Sequence, residues 1–377
     1  QRVQHLGTVG LHSGALARSK EDQRNAHVVS CLSSACARFI RLGQGGKVIR
    51  LHVGLRVVTG NGIMRTVVFD LDGTLADTSG DLIAAANAPE DNIASRLGMI
   101  LGDLGIAQTL PQITRLGQVG DVSAVEIPLA PMDADFQHAA LVALEAEEMD
   151  VALVPAGNRR KRLLISDMDS TIIGQECLDE LADFAGLKAE VSAITERAMR
   201  GELDFEGALT TRVAMLKGLD LKALQDAYDA RISLNTGAKT LVETMKAQGA
   251  MTVLVSGGFT FFTGRVADDA GFAAHRGNTL IDDGAVLTGE VGMPILGREA
   301  KLSALDEFSA EAGLSRADSL ALGDGANDLA MIQAAGLGIA YKAKLIVAAE
   351  AHAAINHTDL HTALFFQGYH ADEFVTE

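Results

Sequence analysis

Leu163-Leu164-Ile165-Ser166-Asp167-Met168-Asp169-Ser170-Thr171 is a short apolar strand that delivers two carboxylates at its exposed end. Similar apolar runs follow at Met251 to Val255, Ser319 to Leu322 and Leu337 to Ala340, separated by longer segments with helical periodicity. Uninterrupted apolar strands alternating with helices mark a parallel sheet covered on both faces. The expected fold class is therefore α/β, a doubly wound parallel sheet. Between the first two strands, residues 175 to 235 are rich in Ala, Leu, Glu, Lys and Arg at helical spacing, which predicts an inserted helical cap. His275 to Leu296 alternates apolar and polar residues around Asp282-Asp283-Gly284, which predicts a β-hairpin.

Ligands of a doubly wound sheet sit beyond the carboxyl ends of its strands. The first three strands carry a polar cluster at that end: Asp167 and Asp169, then Ser256-Gly257-Gly258, then Gly323-Asp324-Gly325-Ala326-Asn327-Asp328. Lys301 stands one helix before the third strand. One acidic strand-to-helix turn by itself more often caps the helix that follows. The whole series in this order points to phosphoryl transfer. Several carboxylates with one Lys suit Mg2+, which takes few protein ligands and keeps water and phosphate in its shell. Ser256 and nearby N–H groups suit phosphate oxygens, Lys301 supplies positive charge, and an Asp can become an aspartyl-phosphate.

With these clusters the chain resembles the haloacid dehalogenase superfamily and, within it, the phosphoserine phosphatase family, from about Asp133 to the end. The resemblance implies that Asp167 is the nucleophile and Asp169 the acid/base. It implies that Ser256, Gly257 and Lys301 hold the phosphoryl group, and that Asp167, the Asp169 main-chain carbonyl and Asp324 bind Mg2+. Asn327 and Asp328 would support Asp324 and the metal, and Thr171 would orient the first loop. Glu176 and Arg212 match the positions that read the ammonium and carboxylate of O-phospho-L-serine, a task suited to a carboxylate and a guanidinium fork. Either residue alone would read as an exposed helix charge. The implied reaction is hydrolysis of O-phosphoserine to L-serine and phosphate, the last step of serine biosynthesis. Alternatives are another small phosphomonoester, such as phosphoglycolate or phosphohomoserine, and a non-catalytic phosphoamino-acid-binding regulator.

Val67-Val68-Phe69-Asp70-Leu71-Asp72-Gly73-Thr74 repeats the opening layout, and Met64 to Ala88 resembles the start of a phosphoglycolate phosphatase. Between Thr74 and Leu163 no strand ends in Ser/Thr-Gly with a following Lys, and fewer than 90 residues are too few for such a sheet. This copy is read as a truncated remnant or chimeric join, with a helix starting over Asp81 to Ala88 and broken by Pro89. Asp133 to Glu148 is expected as a helix and Val151 to Val154 as a strand. Three regions result: a poorly ordered basic leader over 1–63, the truncated motif plus a small α+β module over 64–160, and the phosphatase domain over 161–377. The leader begins with Gln1, and it is read as appended or mistranslated, with a targeting segment or a basic arm as alternatives and Met64 as a natural start.

The 377 residues are 48% apolar and carry a net charge of −17, which argues against nucleic acid as the main partner. Residues 1 to 63 hold nine Lys or Arg against Glu21 and Asp22, so the remainder carries −24. The basic run Arg159-Arg160-Lys161-Arg162 is accordingly read as a solvated strand entry. Cys31, Cys36 and Cys177 form neither a disulfide framework nor a metal spacing, and Cys177 is read as a small buried residue. His275, His352, His357, His361 and His370 show no ligand pattern. No apolar run reaches the roughly 18 to 20 residues that span a bilayer. The expectation is a cytoplasmic enzyme without membrane or nucleic-acid partners, with a homodimer among its expected states.

Overall fold

The computed structural model describes residues 36–38, 53–58, 64–69, 80–103, 113–128, 144, 148–155, 157–199 and 204–376. The chain divides into two units, Gln1–Ala76 and Asp77–Glu377. In the first unit, β1 (Cys36–Arg38), β2 (Val53–Val58) and β3 (Met64–Phe69) form an antiparallel sheet in that order. Strands therefore occur upstream of Met64, where the sequence suggested none. Val58 pairs with Met64 across the Gly60-Asn61-Gly62 sequence, a turn signal between two Val-rich runs. The strand of the first motif is thus paired antiparallel. Asp70 and Asp72 lie outside the described residues.

In the second unit, β4 (Gly80–Ala86), β5 (Thr114–Val119), β6 (Val122–Pro128) and β7 (Asp150–Pro155) form an antiparallel sheet in the order β5-β6-β4-β7. The helix expected over Asp81 to Ala88 is a strand, and Pro89 precedes the helix Glu90–Asp103 instead of ending one. The physical reason is burial on two sides. Leu82, Ala84 and Ala86 pack with Ile93, Leu97 and Leu101 of that helix, while Ile83 and Ala85 join the main core on the other face. A strand apolar on both faces loses its period-two signal and reads like a buried helix. Of the helix expected over Asp133 to Glu148, only Leu144, which is helical, and Glu148, in a turn, are described.

The main sheet has six parallel strands: β8 (Leu163–Ser166), β9 (Met251–Phe259) and β10 (Ala274–Asn278) on one side, with β13, β14 and β15 on the other. Between these halves of the chain lies the hairpin β11 (Leu280–Asp282) and β12 (Leu287–Val291), turning at Asp283-Gly284 as expected. Strands β13 (Ser319–Gly323), β14 (Leu337–Tyr341) and β15 (Ala353–Ile355) complete the order β10-β9-β8-β13-β14-β15. Leu164 and Leu254 face a layer containing the helices Ala238–Ala247 and Thr260–Ala270; Leu163, Ile165, Val253 and Ala321 face Arg298–Glu311 and Leu329–Ala334. Each such buried aliphatic side chain contributes roughly 1.5 to 3 kcal/mol to the packed state. The α/β doubly wound class is borne out.

The chain winds outward from central β8 through β9 to β10, then returns to β13 and winds the other way. Strand order therefore reverses between β8 and β13, and the crevice opens at their carboxyl ends, where Asp167 and Asp324 begin. Over the crevice stand the helices Cys177–Phe184, Lys188–Met199, Phe205–Met215 and Leu221–Arg231. The β11–β12 hairpin docks on them, since Leu287 exchanges main-chain hydrogen bonds with Gly218 and Leu219. Among the described residues no helix is long and apolar enough to cross a membrane.

Candidate active site

Asp167 follows the last residue of β8, and its N–H donates to the Leu322 carbonyl of β13, so the chain leaves the sheet with its direction fixed. Its carboxylate is buried, and Oδ1 accepts from the Met168 N–H at 2.7 Å and from Lys301 Nζ at 2.7 Å. The same ammonium reaches Asp328 Oδ1, and Asp328 Oδ2 accepts from the Gly325 N–H at 3.0 Å. Lys301 comes from the helix Arg298–Glu311 and Asp328 from the turn after β13, so the contact joins two segments behind the first loop. Gly323 is required here, because a Cβ would overlap the Asp328 carboxylate.

One ammonium thus serves two buried carboxylates. Burial pushes the Asp167 carboxyl well above its ordinary range, and the neighbouring Asp328 pushes it further, with Lys301 opposing. Burial alone would lower the Lys301 ammonium, but Asp167 and Asp328 outweigh it and hold it above its ordinary value. Lys301 is thereby held in its charged form between the two carboxyls. Burial, then the neighbouring Asp328, also raises the Asp324 carboxyl. Carboxylate oxygens of Asp167, Asp324 and Asp328 lie within 4.8 Å of one another, a hard oxygen cluster able to hold a divalent cation. The sequence reading gave Asp328 a supporting role; in the structure its carboxylate is part of the cluster itself.

The Asp169 carboxylate turns the other way. Its Oδ1 accepts from the Cys177 N–H at 2.8 Å and its Oδ2 from Ser256 Oγ at 3.2 Å. Burial raises the Asp169 carboxyl, against the lowering effect of the Cys177 donor and Ser256. Ser256 Oγ also accepts from the Gly258 N–H at 2.8 Å, which curls the end of β9 around the hydroxyl. Gly257 lies under the Phe205 ring, where a Cβ would sit 3.1 Å from Cζ. Thr171 Oγ1 is 3.5 Å from Asp324 Oδ1, and the Asn235 side chain holds the Thr171 carbonyl at 2.8 Å. Half-buried Asn327 lies in the same turn with its side-chain oxygen against Gly325.

Glu176 stands at the mouth and accepts from Ser170 Oγ at 2.7 Å; Ser170 adopts φ 54°, a left-handed turn that points its hydroxyl there. Loss of water around Glu176, then the nearby Asp169 charge, pushes its carboxyl up to about 7, although its outer edge is exposed. Arg212, on the helix Phe205–Met215, is half-buried and lowered by burial, against the field of Asp179, Glu176 and Asp169. The cap thus brings a carboxylate and a guanidinium toward the same opening. Cys177 is buried and its thiol pushed up by that burial, which keeps it unreactive. The sequence gave no warning of Asn278 or of the buried, unpartnered Oδ1 of Asp179. Both are ordinary polar residues in ordinary local contexts, and only their surroundings distinguish them.

The haloacid dehalogenase-like hydrolase family model matches residues 164–333, which include both carboxylate motifs and Lys301. The phosphoserine phosphatase of a Polaromonas species is 47% identical over 204 residues, covering 53% of this chain and 86% of that one. The phosphoserine phosphatase of Streptomyces coelicolor is 42% identical over 257 residues, 67% of this chain, which spans only 62% of that relative's length. A solved structure described as a phospho-aspartyl intermediate analogue of phosphoserine phosphatase matches with TM-score 0.51 and 36% identity, over 55% of this chain and 99% of that one. The chain belongs to the haloacid dehalogenase-like hydrolase family. Within that family, the two relatives just named are phosphoserine phosphatases.

Proposed function

We propose that the chain hydrolyses O-phospho-L-serine to L-serine and inorganic phosphate through an aspartyl-phosphate on Asp167. The observation that carries this reading is the pairing of Asp167 Oδ1 with Lys301 at 2.7 Å beside an Asp169 that is hydrogen-bonded to Ser256 at 3.2 Å. With Oδ1 of Asp167 held by Met168 N–H and Lys301, its other oxygen attacks phosphorus. The bond from phosphorus to the serine oxygen breaks as Asp169, its pKa raised by burial, gives that oxygen a proton. Asp169 then takes a proton from water, whose oxygen attacks the phosphoryl group; the bond to Asp167 breaks and phosphate leaves. Ser256 and Lys301 hold the phosphoryl oxygens throughout.

Mg2+ would be held by the carboxylates of Asp167 and Asp324 and the Asp169 main-chain carbonyl, with the Asp328 carboxylate in the same cluster, and would supply charge neutralisation for phosphate in this acidic pocket. Glu176 pairs with the substrate ammonium and Arg212 with its carboxylate, which separates a phosphoamino acid from a simple phosphomonoester. Turnover of a panel of phosphoserine, phosphoglycolate, phosphohomoserine and phosphoethanolamine tests the assignment. Phosphoserine should give the highest kcat/KM; higher activity on phosphoglycolate would sink it. Asp167→Asn should abolish turnover while phosphoserine binding, measured by calorimetry, persists.

A further inference from the structure

Asn278 is the last residue of β10, at the edge of the parallel sheet, and is 2% exposed. Gly277 lets this strand pass close to β9: a Cβ there would lie 3.1 Å from the Gly258 carbonyl oxygen and 3.2 Å from the Phe259 carbonyl carbon. At this approach the register between the strands shifts, between Arg276 and Asn278. The amide side chain then crosses to the neighbouring loop. Its Nδ2 donates to the Gly257 carbonyl at 2.8 Å and to the Leu296 carbonyl at 3.3 Å, and its Oδ1 accepts from the Leu296 N–H at 2.7 Å.

Leu296 and Gly297 lead directly into the helix Arg298–Glu311, which carries Lys301. One buried amide therefore ties the end of β9, at Ser256-Gly257, to the segment that launches the lysine helix. Three main-chain polar groups depend on it, and an apolar side chain of similar size would leave all three without these bonds. We infer that Asn278 is a positioning residue for the phosphoryl pocket, fixing Ser256 and Gly257 relative to Lys301 without touching the substrate. This rests on the proposed assignment of those residues to the phosphoryl group. The chemistry also explains why the residue is Asn. An ionised Asp of the same shape would turn acceptor oxygens on two carbonyls, whereas a protonated Asp could again donate to Gly257.

Asn278→Asp and Asn278→Ser, with Ser256→Ala as reference, test the inference through kcat/KM, the inhibition constant of inorganic phosphate, and the folded fraction by circular dichroism. In Asn278→Asp, kcat/KM per folded molecule should fall at least about tenfold near neutral pH, and inhibition by phosphate should weaken in step. Relative to the parent at each pH, activity should recover as the solution is acidified and the new carboxyl takes up a proton. Asn278→Ser should show the loss without acid recovery. A pH-independent deficit in Asn278→Asp, or parental phosphate inhibition in either folded variant, would overturn the role. So would an Asp variant unfolded at every pH beside a Ser variant with parental kinetics. If Ser256→Ala itself keeps parental kcat/KM and phosphate inhibition, the pocket assignment fails instead, whatever Asn278 does.

Discussion

Asp167, Asp169 and Glu176 are three carboxylates along one ten-residue stretch, yet their surroundings give them different chemistry. Asp167 is paired with an ammonium at 2.7 Å, Asp169 is held by an N–H and a hydroxyl, and Glu176 faces the opening with one hydroxyl donor. For Glu176 the sign of its shift gives a direct expectation. Its charged form is needed to pair with an ammonium, and its pKa is raised to about 7, so kcat/KM for phosphoserine should fall as pH drops through that value. Glu176→Gln should remove this acidic limb and lower kcat/KM at higher pH by roughly tenfold or more. An unchanged acidic limb in the variant would assign the titration to another group. Asp167 and Asp169 were legible in the sequence because they follow a recognisable apolar strand, whereas Glu176 was read from the family resemblance. Their protonation preferences were not, since these depend first on burial and, for Asp167 and Asp169, also on Lys301, Asp328 and Ser256, which are remote in the chain.

The turn after β13 shows how an element constrains chemistry through its glycines. Gly323 closes the strand against the Asp328 carboxylate, and Gly325 lies against the Asn327 side chain. Gly323→Ala should force Asp328 away from Lys301 and destabilise the fold by about 1 to 3 kcal/mol, the usual cost of overpacking. Denaturant unfolding checks the stability, and the loss of turnover in the folded fraction should exceed what the stability change explains. Parental turnover would show that the turn yields without moving Asp328. The strands that carry the polar clusters were readable because they are central and apolar. Strand β10 reads in the sequence as part of the hairpin, because Ala274-His275-Arg276-Gly277-Asn278 is polar at the sheet edge, and β15 was missed, because Ala353–Ile355 is only three residues long. Strand β4 was misread as a helix because both of its faces are buried.

At the scale of the larger unit, the antiparallel module shares the main core through Ile83 and Ala85 and is fastened further by a few charged groups. Asp150 of β7 is buried and accepts from the N–H groups of Asn356, His357 and Thr358 and from the Thr358 hydroxyl, just after β15. Arg159 bridges Asp81 and Glu126 on the module, and Arg160 pairs with Glu373 while lying 4.2 Å over the Tyr369 ring. Asp150→Ala should remove four donors' partner at once and lower stability by roughly 2 to 4 kcal/mol, since each buried donor left unpaired carries a desolvation cost. Urea unfolding with activity as a second probe is the check. Activity should persist in the folded population, and a change below 0.5 kcal/mol, within the usual scatter of surface substitutions, would show that the contact is dispensable. The sequence alone determined the α/β class, the order of the phosphate-related clusters and the helical cap, because local periodicity and strand-end residues survive in one dimension. The tertiary structure decided that one lysine serves two carboxylates, that Asp328 belongs to the acidic cluster, and that Asn278 ties the end of β9 to the segment before the lysine helix. Those facts rest on contacts between segments far apart in the chain, whose distances no local pattern encodes.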